Sequence, residues 1–151
     1  MEDAGKFDGI RELVEERIPF NRLLGLHLDS ADGGHASMRF DFKPDLVGNF
    51  HMQILHGGVI AAVLDVIGAA AVMGTFSEDS PLLGIGTVDM RVDYLRPGGG
   101  KSFTATGEVM RGGRILCSTR MELHNEEGVL IAIGTAMYRV SRKEVSGPVN
   151  V

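Results

Sequence analysis

The sequence predicts an α+β domain in which an antiparallel sheet wraps around one long apolar helix, and three observations carry that prediction. The run from Leu55 to Phe76 is almost wholly apolar and too long for a strand. After it, apolar and polar residues alternate in four successive segments with no helical pattern between them. Glycine-rich turns punctuate the chain at Asp32-Gly33-Gly34, Pro97-Gly98-Gly99-Gly100 and Arg111-Gly112-Gly113-Arg114. A parallel doubly wound fold needs strands and helices to take turns, which a run of consecutive strands forbids.

In chain order, Phe7, Ile10, Leu13, Val14 and Ile18 fall at helical spacing, so a short amphipathic helix is expected from about 7 to 18, stopped by Pro19. From Leu26 to Phe42 the period becomes two, with Met38, Phe40 and Phe42 set against Ser37, Arg39 and Asp41. That pattern, turning at Asp32-Gly33-Gly34, reads as a hairpin. A loop from Lys43 to Ile54 leads into the long helix, which is expected to end near Gly74. Thr87 to Leu95 then alternates Val88, Met90, Val92 and Tyr94 with Thr87, Asp89, Arg91 and Asp93, so the first set should be buried and the second solvated. Ser102 to Met110 and Arg114 to His124 should pair through the Arg111–Arg114 turn, and a turn at Asn125 to Gly128 delivers the last strand, Val129 to Val140. The tail from 141 to 151 reads as frayed.

The 151 residues, 44% of them hydrophobic, suffice for one domain, taken here as 1-151. A net charge of −5 argues against binding nucleic acid, which relies on clustered cations. The single cysteine, Cys117, excludes an internal disulfide framework and lies in a strand-like segment, so it reads as a reduced core residue. The first residues are acidic and lack the apolar stretch of a secretory leader, and the Leu55–Phe76 run carries His56 and Asp65 without flanking cationic anchors. No membrane span and a cytoplasmic setting are therefore expected. His27, His35, His51, His56 and His124 form no metal-ligand spacing, and the chain has no nucleophile elbow, phosphate-binding loop or dinucleotide fingerprint. Neither metal nor cofactor is expected.

The chemistry concentrates at the start of the long helix. In His56-Gly57-Gly58-Val59-Ile60-Ala61-Ala62-Val63-Leu64-Asp65, two glycines open the helix and one carboxylate sits about two turns inside it. A buried carboxylate is costly unless something compensates it, and Ala61, Ala62, Gly68 and Ala69 leave room around it for a ligand or a second helix. A helix N-terminus offers unsatisfied amide donors, and glycine lets a ligand approach them. That is how an oxyanion site is built. Gly57 and Asp65 are eight residues apart, hence roughly 12 Å along one helix, too far to grip one carbonyl together. Two copies packed antiparallel across a two-fold axis would bring Gly57 of one near Asp65 of the other, so a self-associating chain with shared sites is expected.

The element order, the His56-Gly57-Gly58 turn, Asp65 nine residues after that histidine, and the Thr87-Val88-Asp89-Met90 strand resemble the hotdog-fold acyl-CoA thioesterases of the phenylacetate-pathway (PaaI-like) type. The resemblance runs from about Pro19 to Val140. It implies a hotdog fold, hydrolysis of an acyl-CoA to free acid and coenzyme A, and a homodimer or dimer of dimers. It further implies that the Gly57 N–H polarises the thioester carbonyl, that Asp65 activates water or attacks directly, that Thr87 helps hold the water, and that His56 orients the turn or touches the thioester. Relatives often carry Asn or Gln six residues before the histidine, where this chain has Phe50, so the neighbouring Asn49 is the candidate substitute. For the coenzyme, Gly58, Arg96, Arg111, Gly113 and Arg114 are the expected contacts, the arginines because a ligand with several phosphates needs cations. An acyl pocket lined by Ala61, Val63, Ala69 and Met73 is expected. Two other readings stay open on the sequence: a hotdog module that binds acyl-CoA or fatty acid without turnover, and a hotdog dehydratase or hydratase.

Overall fold

The computed structural model describes residues 2–77 and 81–143. The chain begins with helix α1 (Glu2–Glu12), followed by a wider π turn (Leu13–Arg17) and the short helix α2 (Pro19–Leu24). The helix expected from 7 to 18 begins earlier, at Glu2, and closes in the π turn at Arg17, while α2 is an element the sequence reading did not anticipate. Ile10 and Val14 face the core as their spacing requires, whereas Ile18 leaves the helix in an extended conformation and Pro19 opens α2. Proline at a first helical position loses no hydrogen bond, which is why it starts the second helix and ends the first.

Strands β1 (His27–Asp32) and β2 (His35–Asp41) form the hairpin, joined by Gly33 and Gly34 at φ 55° and 84°. Two successive positive φ values match the right-handed twist of the flanking strands, and glycine adopts them without steric cost. The stretch expected as an unbroken loop from Lys43 to Ile54 holds a 3-10 turn (Pro44–Leu46) and a two-stranded ribbon, β3 (Val47–Asn49) with β4 (Ile54–Leu55). Helix α3 (Gly57–Met73) follows, and then β5 (Leu82–Tyr94), β6 (Ser102–Gly112), β7 (Leu116–Asn125) and β8 (Leu130–Arg142). Ser141 and Arg142, expected in a frayed tail, instead pair with β5, and residues 144–151 lie outside the described part.

The six long strands make one antiparallel sheet in the order β1-β2-β6-β7-β8-β5. Its inner face carries Met38, Phe40, Phe103, Ala105, Met121, Leu123, Ala136 and Tyr138, all buried, and α3 lies across it through Ile60, Val63, Leu64, Ile67 and Ala71. Phe40 and Phe103 stack with centroids 5.1 Å apart at the end of the sheet near the start of β6. The helix approaches the sheet so closely that a Cβ at Gly107 of β6 would fall 2.7 Å from the Ile67 carbonyl oxygen. No helix of the described residues is long and apolar enough to cross a membrane.

Two consequences for the site follow. Among the described residues strand β5 is hydrogen-bonded only to β8, so its other edge, 13 residues long, has no partner there, with Leu83, Val88 and Tyr94 more than half exposed. The register of β5 against β8 also slips at Val88, because Thr87 pairs with Tyr138 and Asp89 with Met137. One extra residue forms a β-bulge, a feature frequent beside functional sites.

Candidate active site

Asp65 emerges from the middle of α3 on its less covered side. Ile60, Val63, Leu64 and Ile67 are buried, while Gly57, Ala61, Ala62, Asp65, Val66 and Ala69 are only half covered. The carboxylate is therefore half-buried rather than sunk in the core. Among the described residues no cation forms an ion pair with it. Its partners are neutral hydroxyls: Thr87 Oγ1 donates to Asp65 Oδ1 at 2.7 Å, and the Tyr138 hydroxyl lies 2.7 Å from the Asp65 carbonyl oxygen and 3.1 Å from Oδ1. Burial, followed by the charge of Asp65, pushes the Tyr138 phenol well above its ordinary range, so it acts as a hydrogen-bond donor.

The bulge decides that Thr87 takes part. Simple alternation puts Thr87 with Asp89, Arg91 and Asp93 on the solvated face, opposite Val88 and Met90. The extra residue reverses the parity of the first half of the strand, so Thr87 shares the inner face with Met90 and Val92, and Val88 is left 60% exposed at the bulge. The facing expected over 87 to 95 is corrected at these two positions, and the burial expected of Tyr94 is corrected as well, since it lies on the inner parity yet is 54% exposed.

At the other end of α3, His56 caps the helix. Its Nδ1 accepts the Gly58 N–H at 2.8 Å, and its carbonyl accepts from Val59 N–H at 2.9 Å. A ring nitrogen that accepts carries no hydrogen, so in this arrangement the ring hydrogen is on Nε2. The Gly57 N–H has no acceptor among the described residues. Tyr94 closes one side of this helix end, donating from its hydroxyl to the Gly57 carbonyl at 2.9 Å. Together with Ile54, Leu55, Ile60, Arg96 and Gly98 it lines a cleft that opens on Gly57. The arrangement holds a backbone donor with a helix dipole behind it at one end, and a carboxylate between two hydroxyls at the other.

The profile of the family described as Thioesterase superfamily matches residues 52–132, a stretch containing His56, Gly57, Asp65 and Thr87. The chain belongs to the thioesterase superfamily. It is 44% identical over 141 residues to the protein named medium/long-chain acyl-CoA thioesterase YigI in Salmonella typhimurium, covering 87% of this chain and 91% of that one. The Escherichia coli K12 protein of the same name shows the same identity and coverage. A crystal structure of a Shewanella oneidensis protein related to the thioesterase superfamily superposes with a TM-score of 0.80 at 40% identity, covering 92% of this chain and 97% of that one. The hotdog fold and thioester hydrolysis expected from the sequence thus hold for this enzyme.

The remaining expected residues divide into groups. Gly58 belongs to the His56 cap, and Arg96 lines the cleft at Gly57 while donating to the Leu130 carbonyl at 3.0 Å. Arg111 and Gly113 line a separate depression with Ile115, Leu116, Ser118 and Met137, beside the exposed Arg114. Arg96 N–H bonds the Ile131 carbonyl and Leu116 pairs with Arg139, so the two places are eight strand residues, roughly 26 Å, apart along β8. Within one chain these cations therefore fall in two separate groups. The Asn49 side-chain oxygen accepts from His51 N–H and Met52 N–H, both at 3.1 Å, which makes it the organiser of the 50–52 turn. Val63 and Met73, expected in an acyl pocket, are corrected to core residues, whereas Ala61 and Ala69 stay on the half-covered face.

Two tyrosines were not among the site residues expected from the sequence. Tyr138 carried a usable signal: in the strand Ala132, Gly134, Ala136, Tyr138, Val140, it is the one residue of the buried parity with a polar group, and a buried phenol needs a partner. For Tyr94 no comparable signal exists, because its partner is a backbone carbonyl.

Proposed function

We propose that this enzyme hydrolyses medium- to long-chain acyl-CoA thioesters at sites shared between two copies of the chain, the Gly57 N–H of one polarising the carbonyl and Asp65 of the other activating water. The observation that carries this reading is the carboxylate with no ion pair among the described residues and one oxygen held by two hydroxyls, on the open side of α3. A carboxylate kept for structure is normally paired with a cation or saturated by backbone donors, and Asp65 is neither. Its substrate class is supported by the name of the YigI proteins and by how fully the two chains cover each other.

Each hydroxyl has a definite part in such a reaction. Because Thr87 gives its proton to Asp65 Oδ1, its oxygen accepts a hydrogen from the attacking water, and Oδ2, which has no partner among the described residues, takes the proton transferred on attack. Negative charge then develops on the thioester oxygen at the Gly57 N–H, where the helix end stabilises it. His56 keeps the first turn in shape and presents its Nε2 hydrogen outward.

The free edge of β5 supports the sharing. Along that one strand, Thr87 stands over Asp65 and Tyr94 over Gly57. Antiparallel pairing of β5 with its copy, centred midway between these positions, sets the partner's Tyr94 beside Thr87 and hence the partner's Gly57 near Asp65. The same pairing carries the partner's Arg96 toward the Arg111–Arg114 turn, reuniting the cations that one chain holds apart. The test is steady release of free thiol from a series of acyl-CoAs of increasing chain length, run on the parent and on Asp65→Asn. Turnover by the parent and its loss in the variant are the expected results; binding without turnover in the parent would overturn the reading.

A further inference from the structure

We propose that Tyr138 is a positioning residue for catalysis, acting through Asp65 to hold the carboxylate in the one orientation that leaves Oδ2 free for water; the inference rests on the reading of Asp65 as the group that activates water. Three features meet at this phenol. Its hydroxyl lies within hydrogen-bond distance of both the backbone carbonyl and the Oδ1 of Asp65, at 2.7 and 3.1 Å. Its ring is 1% exposed on β8, so the hydroxyl cannot turn to solvent. Finally, Gly68, one turn after Asp65, is the position whose Cβ would collide with that hydroxyl, so the helix is notched where the phenol enters.

The hydrogen-bond arithmetic gives the phenol its part. A tyrosine has one proton, shared here between a neutral carbonyl and a carboxylate oxygen, and the ionised form of Asp65 draws it toward Oδ1. Thr87 approaches the same oxygen from β5. Two donors on Oδ1 from two strands fix the side-chain torsion, whereas Thr87 alone leaves the carboxylate free to swing about one contact. Charged residues near this point face away: Asp89 and Arg91 of β5, Arg139 of β8, Arg120 and Glu122 of β7 and Glu108 of β6 take the outward register positions. The hydroxyls therefore set the environment of the carboxylate.

Tyr138→Phe keeps the ring and removes the donor. Its expected signature is a fall in kcat of roughly tenfold with KM within about twofold of the parent, because the lost contact acts on the base and touches no substrate. Gly68→Ala keeps the hydroxyl but displaces it, and should give the same fall in kcat at little-changed KM; it decides the matter should Tyr138→Phe not fold. Urea midpoints establish that the variants compared are folded. A folded Tyr138→Phe with the parent's kcat, whatever its loss of stability, overturns the proposal. Asp65→Asn run alongside separates the two claims: loss of turnover there with a parent-like Tyr138→Phe removes only the role of Tyr138, and full turnover there removes carboxylate chemistry and the role of Tyr138 together.

Discussion

Asp65 and Gly57 are the two residues whose replacement speaks most directly to the chemistry. Asn at position 65 still accepts from Thr87 and Tyr138 but cannot take a proton, so Asp65→Asn should fold as the parent does and lose at least about a hundredfold in turnover in the thiol-release assay. The amide at Gly57 is removable without breaking the helix. Proline is tolerated at a first helical position, His56 already has the extended φ −63°, ψ 135° that a residue before proline needs, and an added Cβ would rest 3.5 Å from the Tyr94 ring, an ordinary contact. Gly57→Pro should therefore leave the circular dichroism unchanged and lower kcat by about a hundredfold or more, the typical loss of one oxyanion donor. At this scale the sequence was informative about Asp65, Gly57 and His56, since a carboxylate inside an apolar helix and glycines at its start are local facts. It was silent on Tyr94, whose contact with Gly57 spans 37 positions of the chain.

The elements place these residues through close approaches and one irregularity. Helix α3 sits low on the sheet because Gly107 leaves space beneath Ile67, so Gly107→Ala must push the helix outward or strain the strand. A cost of about 1–3 kcal/mol is expected, read as a lower urea midpoint with unchanged slope. The turn between β5 and β6, which walls the cleft at Gly57, is tied to the turn between β7 and β8: Glu126 accepts from the backbone N–H of Lys101 at 2.9 and 3.0 Å and of Ser102 at 3.5 Å. The Lys101 bonds foremost hold its carboxyl below its ordinary value of 4.5. A carboxyl lowered in the folded state stabilises the fold above that value and ceases to as pH falls through its folded-state value. Glu126→Gln should thus be less stable than the parent at pH 7, and the gap between their melting temperatures should close as the pH falls below about 4.5. The positions of the long strands were legible to within a few residues, apart from β5, which begins at Leu82 where alternation places its start at Thr87; the short ribbon of β3 and β4 was read as loop. The bulge at Val88 accounts for this, because an inserted residue breaks period two without changing composition.

For the whole molecule the outer edge of β5 matters most, since a long edge unpaired among the described residues, with exposed Leu83, Val88 and Tyr94, is a template for another strand. If sites are shared as proposed, a mixture of Gly57→Pro and Asp65→Asn chains forms mixed dimers in which one site carries both changes and the other neither. Equal mixing after joint refolding should restore about a quarter of the parent's turnover, half the dimers each regaining one of two sites. Mixtures no more active than the separate variants would show that each site lies within one chain.

Periodicity, composition and turn chemistry act over a few residues, and they sufficed for the antiparallel sheet, the long helix α3, and a helix start built around His56, Gly57 and Asp65. Pairing register, parity across a bulge and contacts between distant strands depend on the packed chain, so only the tertiary structure turned Thr87 inward and brought Tyr138 to Asp65. It also set Arg96 apart from Arg111 along the sheet. The physical reason is range: backbone propensities add up locally, whereas a hydroxyl from another strand reaches a carboxylate only once the sheet has closed over the helix.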